Sequence, residues 1–192
     1  MNTPAHLIFG AAVFAWPGDA RVNVAAILGA LLPDLSLYLL VGWARVVQGI
    51  DARVIFGETY FSDLWQGLFA VDNSMPLWGL ALVLGLWHRW LVLIAFAGSG
   101  LLHLVFDFSL HHDDARRHFW PVSDWVFRSP FSYWDGAHYG YIIGPLEIVA
   151  SLALCVLLWR RFQGRLARGL IVLGAVAEAA PGIMFALMFA GP

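Results

Sequence analysis

Apolar runs as long as a membrane-spanning helix constrain the fold of this chain more than any other feature of its sequence. Residues 22–47, 90–108, 141–159 and 169–190 each form such a run, since about 20 apolar residues are needed to cross the hydrocarbon core. Only 12% of the residues are charged, whereas a soluble domain of this length carries about 25%. The sequence therefore predicts an all-α, polytopic membrane protein, a helix bundle in which residues 1–192 form a single domain.

Two further apolar segments are shorter than a full span. These are residues 4–16 and 75–87, and Thr3 and Pro4 are expected at the N-cap and the first helical position of the earlier one. Between residues 51 and 72, apolar positions recur at helical spacing among charged ones, which predicts an amphipathic helix at the membrane interface. We count five or six hydrophobic membrane segments, two of them short.

The charge pattern bears on partners and, weakly, on orientation. The net charge of -2 argues against a nucleic-acid partner, which requires a basic patch, and leaves membrane lipids as the expected surroundings. The single cysteine, Cys155, provides no disulfide framework. The first residues lack the positively charged start of a cleavable signal peptide, so none is expected. Four arginines share one short loop, which favours a cytoplasmic position for it and an outward-facing His-rich segment, whereas five others favour the reverse. The first group is Arg160, Arg161, Arg165 and Arg168, and the second is Arg45, Arg53, Arg116, Arg117 and Arg128.

The most chemically informative segment is 103–138. It contains five of the seven histidines and five of the thirteen acidic residues, and it begins inside an apolar run. Charged and imidazole groups are costly in hydrocarbon, so they persist there where something is bound, paired or moved. Residues 111–140 are polar and aromatic and include Pro121, Pro130 and Gly136, which predicts a His/Asp-rich interfacial loop.

The spacing of His103, Asp107 and His111 is typical of a metal site. Residues four apart on a continuous helix project from one face. Histidine and carboxylate are the usual ligands of catalytic zinc, and manganese or iron accept the same set. The residues that follow are candidates for a second metal or for groups that orient the ligands: His112, Asp113, Asp114 and His118. The pattern predicts a divalent metal ion, with zinc as the first expectation, or a proton-handling role.

Two earlier residues fit the same site. Asp34 follows Pro33 inside an apolar run, and Pro33 removes a backbone donor and opens the helical hydrogen-bond ladder. Such a gap is tolerated in a membrane where it lines a cavity, so we expect Asp34 to face the interior as a ligand or, alternatively, to pair with an arginine or cap a broken helix. His6 lies in the short first helix. Glu147 and Glu178 are the remaining acids in apolar runs and are weaker candidates.

Aromatic residues are frequent in the loop between residues 111 and 140. They are typical of an interfacial aromatic belt, and they would equally line a groove for an acyl chain. The residues concerned are Trp120, Trp125, Phe131, Tyr133 and Trp134. Structural anchoring in the membrane interface is the favoured interpretation.

Three short motifs carry a resemblance to a known family. They are TPAHLIFGAA near the start, GALLPDL, and GLLHLVFD followed by F-W-P. The chain resembles the YdjM-like family of inner-membrane proteins, described as LexA-regulated, metal-dependent hydrolases, and is more distantly similar to zinc-dependent phospholipase C. The resemblance implies a bacterial inner-membrane location and four metal ligands: His6, Asp34, His103 and Asp107. The chain departs from the family at residues 72–76, where Asp-Asn-Ser-Met-Pro replaces a Thr-His-Ser motif.

Three functions are compatible with these residues. The first is a membrane-embedded, metal-dependent hydrolase that acts at the interface on a lipid phosphoester or ester. In it, His111, His112 and Asp113 complete the ligands or transfer protons, and His118 or His138 protonates the leaving group. The second is a small ion- or proton-coupled transporter that uses the intramembrane acids. The third is a non-catalytic subunit in which the metal serves stability.

Overall fold

The computed structural model describes the backbone of residues 1–189 and the side chains of residues 1–180. Within that range the chain consists of helices and loops, without a strand. The helices are α1 (Thr3–Phe14), α2 (Ala20–Gly42, continued by a π-helical turn Trp43–Val47), α3 (Ala52–Gly57), α4 (Asp63–Asp72), α5 (Met75–Trp87), α6 (Leu91–Leu110), α7 (Gly140–Arg161) and α8 (Arg165–Phe189). Single 3-10 turns lie at Thr59–Phe61 and Gly136–His138. The predicted all-α class is confirmed.

Among the described residues, four apolar segments are long enough to cross a membrane. They are Ala20–Val47, Asp63–Trp87, Leu91–Leu110 and Gly140–Arg161. Their length and composition are those of a membrane protein, and α1 is shorter than a span, as predicted. The sequence segment 169–190 forms part of α8, and its last residue lies outside the described residues.

The N-cap of helix α1 lies one residue earlier than the sequence predicts. Asn2, not Thr3, is the N-cap, because the Asn2 side chain accepts a hydrogen bond from the Ala5 amide at 3.0 Å. Pro4 occupies the first turn, where a missing amide hydrogen costs nothing. The hydroxyl of Thr3 is consequently free to bond elsewhere.

Helix α2 passes through Pro33 without a break, in contrast to the predicted interruption. The carbonyl oxygen of Pro33 accepts hydrogen bonds from the Asn73 amide and from the Arg116 guanidinium, both at 3.2 Å. Two tertiary contacts thus bind the carbonyl of Pro33, and Asp34 lies on an intact helix.

Helices α1, α2 and α6 form the centre of the bundle because small residues let their backbones approach closely. A Cβ atom at Gly29 of α2 would lie 2.0 Å from the carbonyl oxygen of Phe96 in α6, so only glycine fits there. Gly10 of α1 is similarly enclosed by Ala30 and Ser99. This close packing brings the start of α1 to the last turns of α6.

Helices α7 and α8 cover the other side of α1. Cys155 and Leu158 of α7 pack with Ile8 of α1, so Cys155 is a core residue, as expected. At the far end of α1, Arg161 donates to the carbonyl oxygens of Ala12 and Ala15 at 2.7 and 3.0 Å. These bonds satisfy carbonyls that the helix end leaves free.

Helices α4 and α5 are joined through a break at Asn73 and Ser74, and together they form one 25-residue apolar segment. The sequence predicts an interfacial helix for the first part. In the structure, Trp65 and Phe69 of α4 pack against Ala44 beyond the end of α2. The hydroxyl of Ser74 caps α5 at the Leu77 amide and also donates to the Trp120 carbonyl in the long loop.

The segment between α6 and α7 is a loop apart from the turn Gly136–His138. Phe108 at the end of α6 contacts Phe119 and Trp125 and stacks on Phe127 at 4.6 Å between ring centroids. Part of the aromatic content of the loop therefore serves to fold it back on α6. Its position relative to a membrane interface stays a prediction.

Candidate metal centre

Three buried side chains from α1 and α6 converge on one point. The Nε2 atom of His6 lies 2.9 Å from Oδ1 of Asp107, and Nε2 of His103 lies 3.0 Å from Oδ2 of the same carboxylate. The three residues are 1–4% exposed. Zn²⁺ binds His nitrogen and carboxylate oxygen at about 2.0–2.2 Å, so tetrahedral ligand atoms lie about 3.3 Å apart, close to the observed spacing. The three side chains form a candidate metal site.

The hydrogen bond of His103 to α2 fixes the tautomer of its ring, and so the protonation of the nitrogen that faces Asp107. Nδ1 lies 2.7 Å from the carbonyl oxygen of Ala30, and a carbonyl only accepts, so Nδ1 carries a proton. A neutral imidazole then presents the lone pair of Nε2 to Asp107. Two facing lone pairs at 3.0 Å require a proton or a metal ion between them, and a backbone acceptor on the distal nitrogen is the usual support of a metal-binding histidine.

His6 is held by stacking rather than by a second hydrogen bond. Its ring lies parallel to the ring of His103, with 3.4 Å between centroids and 7° between planes. Its Nδ1 atom is buried and has no hydrogen-bond partner among the described residues. The stack therefore sets the position of the ring, while the tautomer is left free to suit what Nε2 binds.

Asp34 and His111 lie at the edge of this cluster. Oδ1 of Asp34 is 3.7 Å from Nε2 of His103, and its Oδ2 accepts a 2.5 Å hydrogen bond from the Thr3 hydroxyl. Nε2 of His111 is 3.2 Å from Oδ1 of Asp107. The structure thus brings five of the six predicted ligands together, three of them within ligand distance of one another.

His111 also contacts Asp114, which lies three residues further along the chain. Its Nδ1 is 2.9 Å from Oδ2 of Asp114. Burial lowers the pKa of His111, but the carboxylates of Asp107 and Asp114 outweigh burial, and the pKa is raised above its ordinary value. Burial raises the pKa of Asp114, but the hydrogen bond and charge of His111 outweigh burial, and the pKa is lowered. His111 therefore carries a proton readily and faces two acceptors.

A cavity of about 400 Å³ adjoins the cluster. Its walls come from the start of α1, the middle of α2, the segment before α4 and the loop after α6. The polar lining residues are Asn2, Thr3, Asp34, Tyr38, Tyr60, His111, Asp113, Asp114, Arg116 and Tyr133. The site therefore has room beside it for a bound molecule.

The remaining predicted site residues lie in the loop after α6. His112 donates from Nδ1 to the Ser129 carbonyl at 2.7 Å and stacks on His138 at 3.6 Å between centroids. His138 bonds Asp135, with 2.6 Å between Nδ1 and Oδ2. Neither histidine is among the residues that line the cavity. Asp113 lines it, with a side chain that is 67% exposed.

His118 is a buried residue of the loop core. Nδ1 donates to the Arg116 carbonyl at 3.1 Å, and the ring packs edge-to-face on Phe108. Burial lowers the pKa of His118 to about 4. The backbone carbonyl of His118 accepts from the Met75 amide at 2.8 Å, so the residue connects the loop to the start of α5.

Several site residues are not predicted from the sequence. The hydroxyl of Thr3 lies 2.7 Å from that of Tyr38 and links it to Asp34. Arg116, Tyr60 and Tyr133 line the cavity although no motif marks them. The one local signal is the position of Arg116 within the run His111–His118, which contains charges of both signs.

Comparison with known proteins gives no information on function, so the inference of function depends on the site. No family model, no curated protein and no solved structure matches this chain. The resemblance to the YdjM-like family stays a prediction that depends on the three short motifs. The donor set of His6, His103 and Asp107 fits a divalent metal on its own chemistry.

Proposed function

We propose that this protein is a membrane-embedded, metal-dependent hydrolase, as the resemblance to the YdjM-like inner-membrane family implies. The observation that carries the proposal is the buried cluster of His6, His103 and Asp107, whose neighbours Asp34 and His111 line a 400 Å³ cavity. Three protein ligands leave a coordination position for water, as in catalytic zinc sites. A bound divalent ion, zinc in the first place and manganese or iron otherwise, supplies a hydroxide nucleophile near neutral pH.

The protein groups around the cluster have distinct tasks in this proposal. Ala30 orients His103 through its carbonyl, and Thr3 orients Asp34 through its hydroxyl. Asp34 lies next to the ligands and is the fourth protein group available to the ion. These bonds fix the donor atoms before any ligand binds, which is how supporting groups raise the affinity of a metal site.

Proton transfer is assigned to His111. It lines the cavity, and Asp114 holds its Nδ1, so that its Nε2, which lies 3.2 Å from Oδ1 of Asp107, is the atom that would exchange a proton at the site. His118 and His138 were candidates for this role from the sequence, but neither lines the cavity. Asp113 lines the cavity with an exposed carboxylate and remains a second candidate.

The position of the cavity in a membrane protein favours a lipid substrate. Phe56, Phe61 and Trp134 belong to its lining and are more than half exposed, which suits contact with acyl chains. Hydrolysis adds water across an ester or phosphoester bond, and the leaving oxygen takes its proton from His111. An interfacial site acting on a lipid head group is the arrangement that we propose.

Metal content tests the proposal directly. Protein purified in detergent without chelator is expected to contain close to one equivalent of metal by mass spectrometry, and His103→Ala/Asp107→Ala is expected to contain almost none. The matched control is His88→Ala/Asp124→Ala, which removes the same residue types at exposed positions. Equal metal content in wild type and the site variant would remove the reactive centre and with it the hydrolase.

Turnover then separates catalysis from a structural metal. Metal-loaded protein is expected to hydrolyse at least one member of a panel of phospholipids and lipid esters, and the site variant none. If removal of the metal lowers the melting temperature while no lipid is hydrolysed, the protein is a non-catalytic metal-binding subunit instead.

A transporter is the second candidate, and a specific cluster favours it. Glu147 of α7 and Glu178 of α8 are 7% and 0% exposed, and Ser151 lies one turn after Glu147. One oxygen of Glu147, both of Glu178 and the hydroxyl of Ser151 are buried without hydrogen-bond partners among the described residues. Acids of this kind mark ion or proton pathways in membranes. Ion flux into proteoliposomes that is lost in Glu178→Gln would support this function over the hydrolase.

A further inference from the structure

Arg116 is a buried cation with no carboxylate in salt-bridge contact among the described residues, although the nearby charges of Asp34 and Asp107 stabilise it. It is 5% exposed, and in the part of the chain that the structure describes its contacts are neutral. One terminal nitrogen donates to the Pro33 carbonyl at 3.2 Å, and the guanidinium carbon lies 4.7 Å from the centroid of the Phe69 ring. Its Nε is buried with no hydrogen-bond partner among residues 1–180, whose side chains the structure describes. A buried charge is costly unless it is paired, so this arrangement suits an anion that comes from outside the protein.

Arg116 lines the cavity that adjoins the candidate metal site. Arg116, Asp34 and His111 all belong to its lining. An anionic group held by Arg116 would therefore occupy the space next to the metal ligands. The Pro33 carbonyl, which holds the guanidinium, directly precedes Asp34 in the chain, so one turn of α2 positions both groups.

The acidic residues in the cavity do not supply the missing partner. The carboxylate of Asp114 bonds His111 at 2.9 Å, and that of Asp34 bonds the Thr3 hydroxyl at 2.5 Å. The side chain of Asp113 is 67% exposed. By contrast, Tyr133 also belongs to the lining and carries a neutral hydroxyl donor, whereas the hydroxyl of Tyr60, another lining residue, already donates to the Asp114 carbonyl at 3.4 Å.

We propose that Arg116 binds the phosphate group of the substrate, so that the substrate class is a phosphate ester with an apolar chain rather than a carboxylic ester. A planar guanidinium with five donors matches phosphate oxygens in a bidentate way, whereas a neutral ester carbonyl leaves the buried charge uncompensated. The exposed rings of Phe56, Phe61 and Trp134 at the cavity accommodate the apolar chain. The assignment rests on the proposed function only for the position of the scissile bond.

Phosphate binding is the measurement that tests this inference. Calorimetry with inorganic phosphate, and with acetate as the carboxylate counterpart, is carried out on detergent-purified wild type, Arg116→Gln and Arg117→Gln. Arg117 is the matched control because it is adjacent, and its guanidinium bonds exposed Asp124 at 3.3 Å. We expect wild type to prefer phosphate, Arg116→Gln to bind it at least about tenfold more weakly, and Arg117→Gln to resemble wild type.

Native mass spectrometry with lipids identifies the source of the phosphate. Wild type is expected to retain phosphatidic acid in preference to oleic acid, which carries the same sign of charge on a carboxylate, and Arg116→Gln is expected to lose this preference. If the protein binds inorganic phosphate but not phosphatidic acid, the part of the proposal that gives the substrate an apolar chain would be overturned. Equal affinity for phosphate and acetate, or equal phosphate affinity in wild type and Arg116→Gln, would overturn the phosphate site itself.

Folding and metal content are followed in the same samples. If Arg116→Gln does not fold by circular dichroism, Arg116→Lys replaces it, since a point charge without the bidentate fork is expected to weaken phosphate binding severalfold. Full phosphate affinity in a folded Arg116→Lys variant would count against bidentate recognition and overturn the assignment. If the purified protein holds no metal but binds phosphate more tightly than Arg116→Gln does, the hydrolase is refuted but this site is not. If metal-loaded wild type and metal-loaded Arg116→Gln bind phosphate equally well, this site is refuted but the hydrolase is not.

Discussion

The imidazole rings of His6 and His103 lie face to face, 3.4 Å apart and within 7° of parallel, although they belong to α1 and α6, which are far apart in the chain. Both Nε2 atoms face one carboxylate, that of Asp107. Two imidazole rings in contact repel one another when both are protonated. The arrangement therefore suits two neutral rings that bind one metal ion better than two imidazolium groups. The stack is therefore the geometric basis of the metal site.

Replacement of His6 by phenylalanine separates stacking from ligation. Phenylalanine keeps a ring against His103 but has no nitrogen, so we expect His6→Phe to fold and to lose most of its bound metal. Metal content by mass spectrometry and helix content by circular dichroism measure the two effects. His88→Phe, at the exposed end of α5, is the control and should retain the metal. A His6→Phe protein with full metal content would show that the His6 nitrogen is not a ligand.

The close approach of α2 and α6 at Gly29 predicts a stability effect that reaches the site. An alanine Cβ there would lie 2.0 Å from the Phe96 carbonyl oxygen, so Gly29→Ala forces the helices apart and is expected to cost about 2 kcal/mol. Because the next residue, Ala30, holds His103 through its carbonyl, metal affinity should fall as well. Thermal unfolding in detergent and metal content measure these changes.

Gly79→Ala is the matched control for that substitution. Gly79 also lies within an apolar helix, but no atom lies within 4 Å of a Cβ built there. Helix propensity then favours alanine by up to about 1 kcal/mol, so the variant should be as stable as wild type or slightly more stable. Equal melting temperatures for Gly29→Ala and Gly79→Ala would contradict the close packing of α2 on α6.

The helical architecture was predictable because it depends on local composition. The predicted runs 22–47, 90–108 and 141–159 agree within a few residues with observed segments, since an apolar stretch of that length has one way to satisfy its backbone in lipid. The joining of α4 and α5 into one segment was not predicted. It depends on Asn73, whose amide bonds the distant Pro33 carbonyl, and periodicity within a segment carries no information on such a contact.

In the candidate site, too, some contacts were predictable from the sequence and others were not. His103 and Asp107 were predicted to meet because they are one turn apart on the same helix. His111 and His112 are neighbours in sequence, but α6 ends at Leu110, so the loop conformation sends one ring to Asp107 and the other to Ser129. Arg116 was missed as a cavity residue because its contacts come from α2 and α4, far away in the chain.

The buried carboxyl group of Glu178 predicts a stabilising substitution. Neither of its oxygens has a hydrogen-bond partner among the described residues, and an unsatisfied buried polar group costs about 1–3 kcal/mol. Glu178→Met keeps the length of the side chain without the polar atoms and should raise the melting temperature in detergent. Glu147→Met should gain less, because it also loses the 2.9 Å bond from the Asn2 amide. A lower melting temperature for Glu178→Met would indicate a bound ion or proton partner and favour the transporter.

His118 predicts how stability depends on pH. Burial lowers its pKa to about 4, against an ordinary value of 6.5, so the folded protein binds fewer protons than the unfolded chain between these values. Its contribution is complete above pH 6.5 and is lost as the pH falls towards 4, about 3 kcal/mol in total. His118→Phe keeps the edge contact with Phe108 without a titrating group. We therefore expect acidification from pH 7 to pH 4.5 to lower the melting temperature of wild type and of His88→Phe more than that of His118→Phe. Metal loss at low pH affects all three proteins alike, so the difference between them isolates His118, and parallel curves would show that His118 is not held neutral by burial.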